Sequence, residues 1–238
     1  MKDVSVAGAA EIAVVRGELA RRGCVHVTFL FSVEVRSAVA AEAIRLVEQS
    51  GIRRDLVVAE TGGTPRRMRN VTRAQVAENG LVIPRLYRSA AVVSALEQVV
   101  GERLFRCPHL PEQFVITCLE GVGDTHGWHW DDYCFALVWI AECPPTADGG
   151  VVECVSDTIW DKQRPGVEAL LKERGVHRLE VGPGDVYLMR TDTTLHRVSP
   201  LRQGRRTIVN MAFATADDLC REVSHETMDS LWSAFGTE

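Results

Sequence analysis

The sequence predicts an α+β fold, mainly β with flanking helices: a helical first half, and a strand-rich second half that closes as a sandwich or barrel. Three observations predict it. Apolar residues recur at helical spacing in several segments before residue 100. From about residue 103 the chain breaks into short branched or aromatic runs separated by Gly, Pro, Asp or Thr. No repeat, low-complexity segment or Pro/Gly/Ser-rich linker interrupts it, so residues 1–238 read as a single domain. Residues 1–102 form its mostly helical flank, 103–215 its β core, and 216–238 a closing helical segment.

Ala9 to Arg22 has helix-forming composition, with apolar residues at 12, 14, 15 and 19. "CVHVTFL" then reads as a strand. Ser32 caps a helix that ends before Gly51, and Val35, Ala38, Val39, Ala43, Ile44 and Val47 form its apolar stripe. Thr72 and Gln75 match a capping box for a short helix to Asn79. Ser89 to Val100 is a further helix, stopped by Gly101. The expected strands are "EQFVITCLEG", "YCFALVWIAEC", "GGVVECV", "VHRLEV", "GDVYLMR", "LHRVSP" and "RRTIVNMAFA". "SHETMDSLWSAF" reads as the last helix.

Composition narrows the function. With 46% hydrophobic residues, the 238-residue chain can bury a sizeable core. A net charge of −5 argues against a general nucleic-acid binder, which needs a basic stripe to displace counterions. The longest uninterrupted apolar run, Phe135 to Ala141, falls short of the roughly 20 residues of a membrane span. Glu11, Arg16 and Glu18 interrupt any signal-peptide pattern, so a cytoplasmic location is expected. Seven cysteines without a CxxC pair read as buried free thiols in a reducing compartment.

The chemistry concentrates in "HGWHWDD", residues 126–132. In an extended chain, residues two apart share a face, so His129 and Asp131 offer an imidazole and a carboxylate side by side. His196 lies 65 residues after Asp131, at the start of a short predicted strand. Two histidines and a carboxylate on one face leave the other face of an octahedral ion open, which suits Fe(II) and O2 chemistry. Arg206 follows ten residues after His196, and its planar fork of donors fits the far carboxylate of 2-oxoglutarate. Strand parity puts Arg206, Ile208, Asn210 and Ala212 on one face and Arg205 on the other.

The HxD…H…R order resembles the Fe(II)/2-oxoglutarate-dependent oxygenases, which implies a double-stranded β-helix (jelly-roll) core. A narrower resemblance spans most of the chain. "TGGTPRRMRNV", "HGWHWDDYCFALVWIAECPPTADGG" and "LHRVSPLRQGRRTIVNMAFA" are similar to the free-amino-acid radical halogenases (the BesD type) and their hydroxylase relatives. The resemblance implies glycine at the metal-carboxylate position of the halogenases, where chloride takes its place. This chain has Asp131 there, which implies hydroxylation.

The resemblance also implies that Glu112 and Asp132 receive the cationic amine of a free amino acid, lysine first. It gives Arg66, or its neighbour Arg67, and Trp232 to the α-carboxylate end, and makes His126 and Asn210 further pocket contacts. Asp132 would point away from the metal in a regular strand. Ala212 stands where the lysine-specific members are expected to carry a hydroxyl, which keeps arginine, ornithine and neutral amino acids open as substrates. A halogenase that keeps its aspartate, or a non-catalytic jelly-roll module with a remnant metal site, would carry the same residues.

Overall fold

The computed structural model describes residues 4–5 and 7–232. The chain opens with α1 (Ala9–Arg22) and β1 (Cys24–His26), followed by α2 (Val33–Ser50). Then come β2 (Ile52–Val58), β3 (Thr64–Val71), α3 (Arg73–Asn79), α4 (Val82–Arg88) and α5 (Ala90–Val100). The second half carries β4 (Phe105–Arg106), β5 (Phe114–Leu119), β6 (Thr125–His129), β7 (Phe135–Glu142) and β8 (Val152–Val155). After α6 (Val167–Glu173) follow β9 (His177–Leu179), β10 (Val186–Arg190), β11 (Leu195–Val198) and β12 (Arg206–Ala214). The last described elements are α7 (Ala216–Cys220) and α8 (Glu226–Trp232).

Local signals explain several helix ends. The Ser32 side chain accepts from the Val35 N–H at the start of α2. Thr72 and Gln75 close a full capping box on α3. Gly23 and Gly101 end α1 and α5 in the left-handed conformation that glycine adopts without a Cβ penalty. At Gly23 an added Cβ would also collide with the Thr194 side chain, 2.1 Å away.

Every strand pair is antiparallel, and the main path runs β1-β10-β7-β12-β5-β3-β6-β11-β8-β9, with β2 on β3 and β4 on β12. This is the nearly closed jelly-roll barrel of the expected fold class. Two sequence expectations need correction, and a third is only partly described. β2 and β3 come from the half read as helical, and β3 sits mid-sheet between β5 and β6. The strand expected over "CVHVTFL" stops at His26, and Thr28–Leu30 is a helical turn. The final helix is described from Glu226 to Trp232, and its expected extension beyond lies outside the described residues.

Alternation sorts the barrel's side chains. Leu137, Trp139, Val209, Met211 and Phe213 face outward and join α1, α2, α4 and α5 in one apolar core. Trp139 is 2% exposed and packs on Phe31 with ring centroids 4.4 Å apart. The alternate residues Ala136, Val138, Ile140, Tyr187 and Ile208 face into the barrel. Helices therefore brace one side of the sheet and leave its interior to the site.

Candidate active site

β6 and β11 are neighbours, and their register sets His129 directly opposite His196. The two rings lie 4.0 Å apart between centroids. Each ring is aimed by the backbone two residues earlier. His129 Nδ1 is 2.7 Å from the Gly127 carbonyl, and His196 Nδ1 is 2.9 Å from the Thr194 carbonyl. With Nδ1–H donating there, each Nε2 lone pair is free for a metal. β6 ends at His129, and the Asp131 N–H donates to the Thr191 carbonyl at 3.2 Å. That bend brings Asp131 Oδ1 to 3.7 Å from His129 Nε2. One ligand atom from each of His129, Asp131 and His196 falls within 4.8 Å of the others.

Electrostatics suit a cation there. Burial drives His129 well below the ordinary imidazole range, which keeps it in the neutral, ligating form. Burial pushes the Asp131 carboxyl upward, a cost that a bound cation would reverse. Gly127 has a structural reason to be glycine: a Cβ would lie 2.7 Å from the Pro65 carbonyl oxygen, where β3 crosses β6.

Arg206 opens β12 and is 1% exposed. Its Nε and one terminal nitrogen (Nη2) are buried without a hydrogen-bond acceptor. Orphaned charged donors are costly in an interior, and a carboxylate is the acceptor that matches this fork. His129, Asp131 and His196 thus fit a metal, and the unpaired donors of Arg206, whose charge acts on His126, fit a carboxylate.

A cavity of about 90 Å³ adjoins the triad. Arg66, Glu112, His126, His129, Asp131, Asp132 and Asn210 all line it. The His126 ring stacks on His129 at 3.8 Å. Arg66 points inward with Met68 and Asn70, whereas Arg67 projects outward to Asp55 at 3.5 Å. Burial pulls the Arg66 guanidinium down to about 10, with Asp131 opposing the shift. Asp132 departs from the parity expectation: the strand has already ended, so Asp131 and Asp132 both reach the cavity. Trp232 does not line it. α8 contributes Thr227, Met228 and Leu231, and Trp232 lies under the Arg54 guanidinium, 5.0 Å from the ring centroid. Thr227 and Leu231 are four residues apart on one helix face, and Trp232 belongs to the next.

The two acids have partners that no sequence pattern marks. Lys162 Nζ sits 2.6 Å from Asp132 Oδ1. His225 Nδ1 sits 3.3 Å from Glu112 Oε1 and 3.7 Å from Asp132 Oδ2. His109 stacks on His225 at 3.7 Å. Burial raises the Glu112 carboxyl to about 7, with the Asp132 charge adding to the shift and the His225 hydrogen bond opposing it. The same bond raises the His225 imidazole.

Comparisons with known proteins place the chain in a family and support its fold. The family model HalD, described as Halogenase D, matches residues 7–233. No curated protein matches. Among solved structures, the epimerase SnoN in complex with Fe3+, alpha ketoglutarate and nogalamycin RO superposes with a TM-score of 0.63. It is 18% identical and covers 97% of this chain and 93% of its own. A 2OG-Fe(II) oxygenase family oxidoreductase from Burkholderia pseudomallei is 15% identical with a TM-score of 0.62, over 90% of this chain and 96% of its own. The prolyl hydroxylase from Trichoplax adhaerens, solved with a peptide fragment, is 14% identical with a TM-score of 0.63, over 90% and 94%. Among the described residues, no helix is long and apolar enough to cross a membrane.

Proposed function

The chain belongs to the Halogenase D family, and from that premise we propose an Fe(II)- and 2-oxoglutarate-dependent oxygenase that hydroxylates a free cationic amino acid, L-lysine foremost. The observation that carries the reading is the convergence of His129, Asp131 and His196, together with the buried, unpaired donors of Arg206. His129, Asp131 and His196 hold the iron, and Arg206 pairs with the distal carboxylate of 2-oxoglutarate. Iron, 2-oxoglutarate and O2 together supply the oxidant for an unactivated C–H bond, releasing succinate and CO2.

The chain's own residues do the rest. The Gly127 and Thr194 carbonyls lock the ring orientation of His129 and His196. Glu112 and Asp132 accept the substrate ammonium, and Arg66 receives its α-carboxylate. His126 and Asn210 fill the wall between them, and α8 excludes water from above. The substrate ammonium competes with Lys162 for Asp132 and with His225 for Glu112. Asp131 favours hydroxylation, because its carboxylate occupies the position that a halide would need.

A second reading, halogenation, is favoured by the family model itself. One assay separates them. Iron-loaded protein is given 2-oxoglutarate, O2, chloride and each free amino acid, and products are read by mass spectrometry. Lysine gaining one oxygen atom, with succinate formed in step, is the expected result. Chlorine replacing hydrogen would overturn the hydroxylase assignment. Succinate coupled only to a neutral amino acid would overturn the cationic one. Retained iron binding without succinate from any amino acid would point to the non-catalytic module.

A further inference from the structure

A second ligand cluster lies at the open seam of the barrel, away from the cavity. Cys24 on β1, Cys154 on β8 and His177 on β9 each offer one donor atom, all within 4.8 Å of one another. Cys24 Sγ is 3.9 Å from Cys154 Sγ and 3.7 Å from His177 Nε2. Both cysteines are buried, and His177 reaches partly into solvent. β1 and β9 are the two ends of the strand path, and neither pairs with the other. The cluster therefore gathers side chains where backbone hydrogen bonding stops.

We propose that Cys24, Cys154 and His177 form a zinc site that clasps this seam. Tetrahedral zinc, with Zn–S bonds near 2.3 Å, holds two thiolate sulfurs roughly 3.8 Å apart and sulfur from nitrogen roughly 3.6 Å. The two separations from Cys24 match these spans, and the Cys154 and His177 donor atoms lie within 4.8 Å of each other. A disulfide would need the sulfurs at roughly 2.05 Å. Charge agrees as well: two thiolates cancel Zn(II), so the buried unit is neutral. Binding releases one proton from each thiol to solvent, His177 donates the Nε2 lone pair, and the solvent side supplies a fourth ligand. Thiolates also select zinc over iron, which separates this site from the nitrogen–oxygen set of His129, Asp131 and His196. The spacing of 24, 154 and 177 carries no motif, so only the folded barrel shows it.

Cobalt(II) is the probe. Reduced, metal-free protein titrated with Co(II) should gain an intense near-ultraviolet sulfur-to-cobalt absorption that saturates at one equivalent. The His129→Gln/His196→Gln double variant should keep that band. Added to that double variant, Cys24→Ser and Cys154→Ser should each abolish the band and weaken zinc binding by at least about 100-fold. Zinc should raise the melting temperature of the double variant but not that of the same double variant carrying Cys154→Ser as well. Should a cysteine variant fail to fold, His177→Gln, altered at the partly exposed ligand, should show a weaker, shifted band. Two outcomes overturn the site: no sulfur-to-cobalt band in protein whose thiols titrate as free, or a Cys24–Cys154 disulfide in protein isolated without oxidant.

Discussion

Asp131 is the residue on which the proposed chemistry turns. Its carboxylate reaches the two imidazoles only because β6 ends just before it, at His129. Asp131→Ala is expected to reduce hydroxylated product to background and to weaken iron binding, checked by product mass spectrometry and by metal titration. Asp132→Asn should act differently. It should weaken lysine binding by about 2–5 kcal/mol, because a desolvated charge loses its partner, and leave iron affinity close to wild type. Calorimetry with each ligand separates the two effects, and unchanged lysine affinity would remove Asp132 from the ammonium site. The triad was legible in sequence because two of its members are two residues apart and the third begins a strand of its own. Lys162 and His225 were not, since each reaches the acids from a distant loop and neither lies in a periodic pattern.

At the scale of elements, the caps were legible and two strands were not. Ser32 and the Thr72–Gln75 pair mark α2 and α3 because the groups that satisfy the free N–H donors are local. β2 and β3 lack the usual alternation of apolar and polar residues. Their buried positions include Arg54, Arg66 and Asn70, so the inward face is polar where it meets the cavity. The start of α4 shows a cap of another kind. Glu42, on α2 and 8% exposed, accepts the N–H groups of Leu81, Val82 and Ile83 at 2.7, 3.0 and 2.8 Å. Removing it leaves three donors without an acceptor. Glu42→Ala is expected to cost about 1–3 kcal/mol in denaturant unfolding, with little change in kcat. A loss below about 0.5 kcal/mol would mean that water replaces the carboxylate.

For the whole molecule, the buried acid–imidazole pair couples folding and binding to pH. Glu112 has a folded value, about 7, above the ordinary carboxylate range, so folding takes up a proton. That contribution is full below the ordinary carboxylate range and is lost as pH rises through about 7. His225 is also raised, so its contribution is present below the ordinary imidazole range and is lost as pH passes its raised value. Stability should therefore fall across neutral pH more in wild type than in Glu112→Gln, as thermal melts at several pH values will show. Affinity for a cationic substrate should move the opposite way and strengthen as Glu112 ionises among His225, Asp132 and Asp131. A KM for lysine that stays flat through neutral pH would contradict this. The barrel class was legible because its outward faces are apolar at strand period, but the closure was not, since strand order depends on pairs far apart in sequence. The Lys162–Asp132 contact has one more consequence. An arriving lysine exchanges one ammonium for another at Asp132, so the charge paired with that carboxylate does not change. Its affinity should then depend little on ionic strength, unlike an encounter between bare opposite charges. Discrimination among amines would rest on chain length, because the substrate that wins Asp132 from Lys162 is the one whose other end also reaches Arg66.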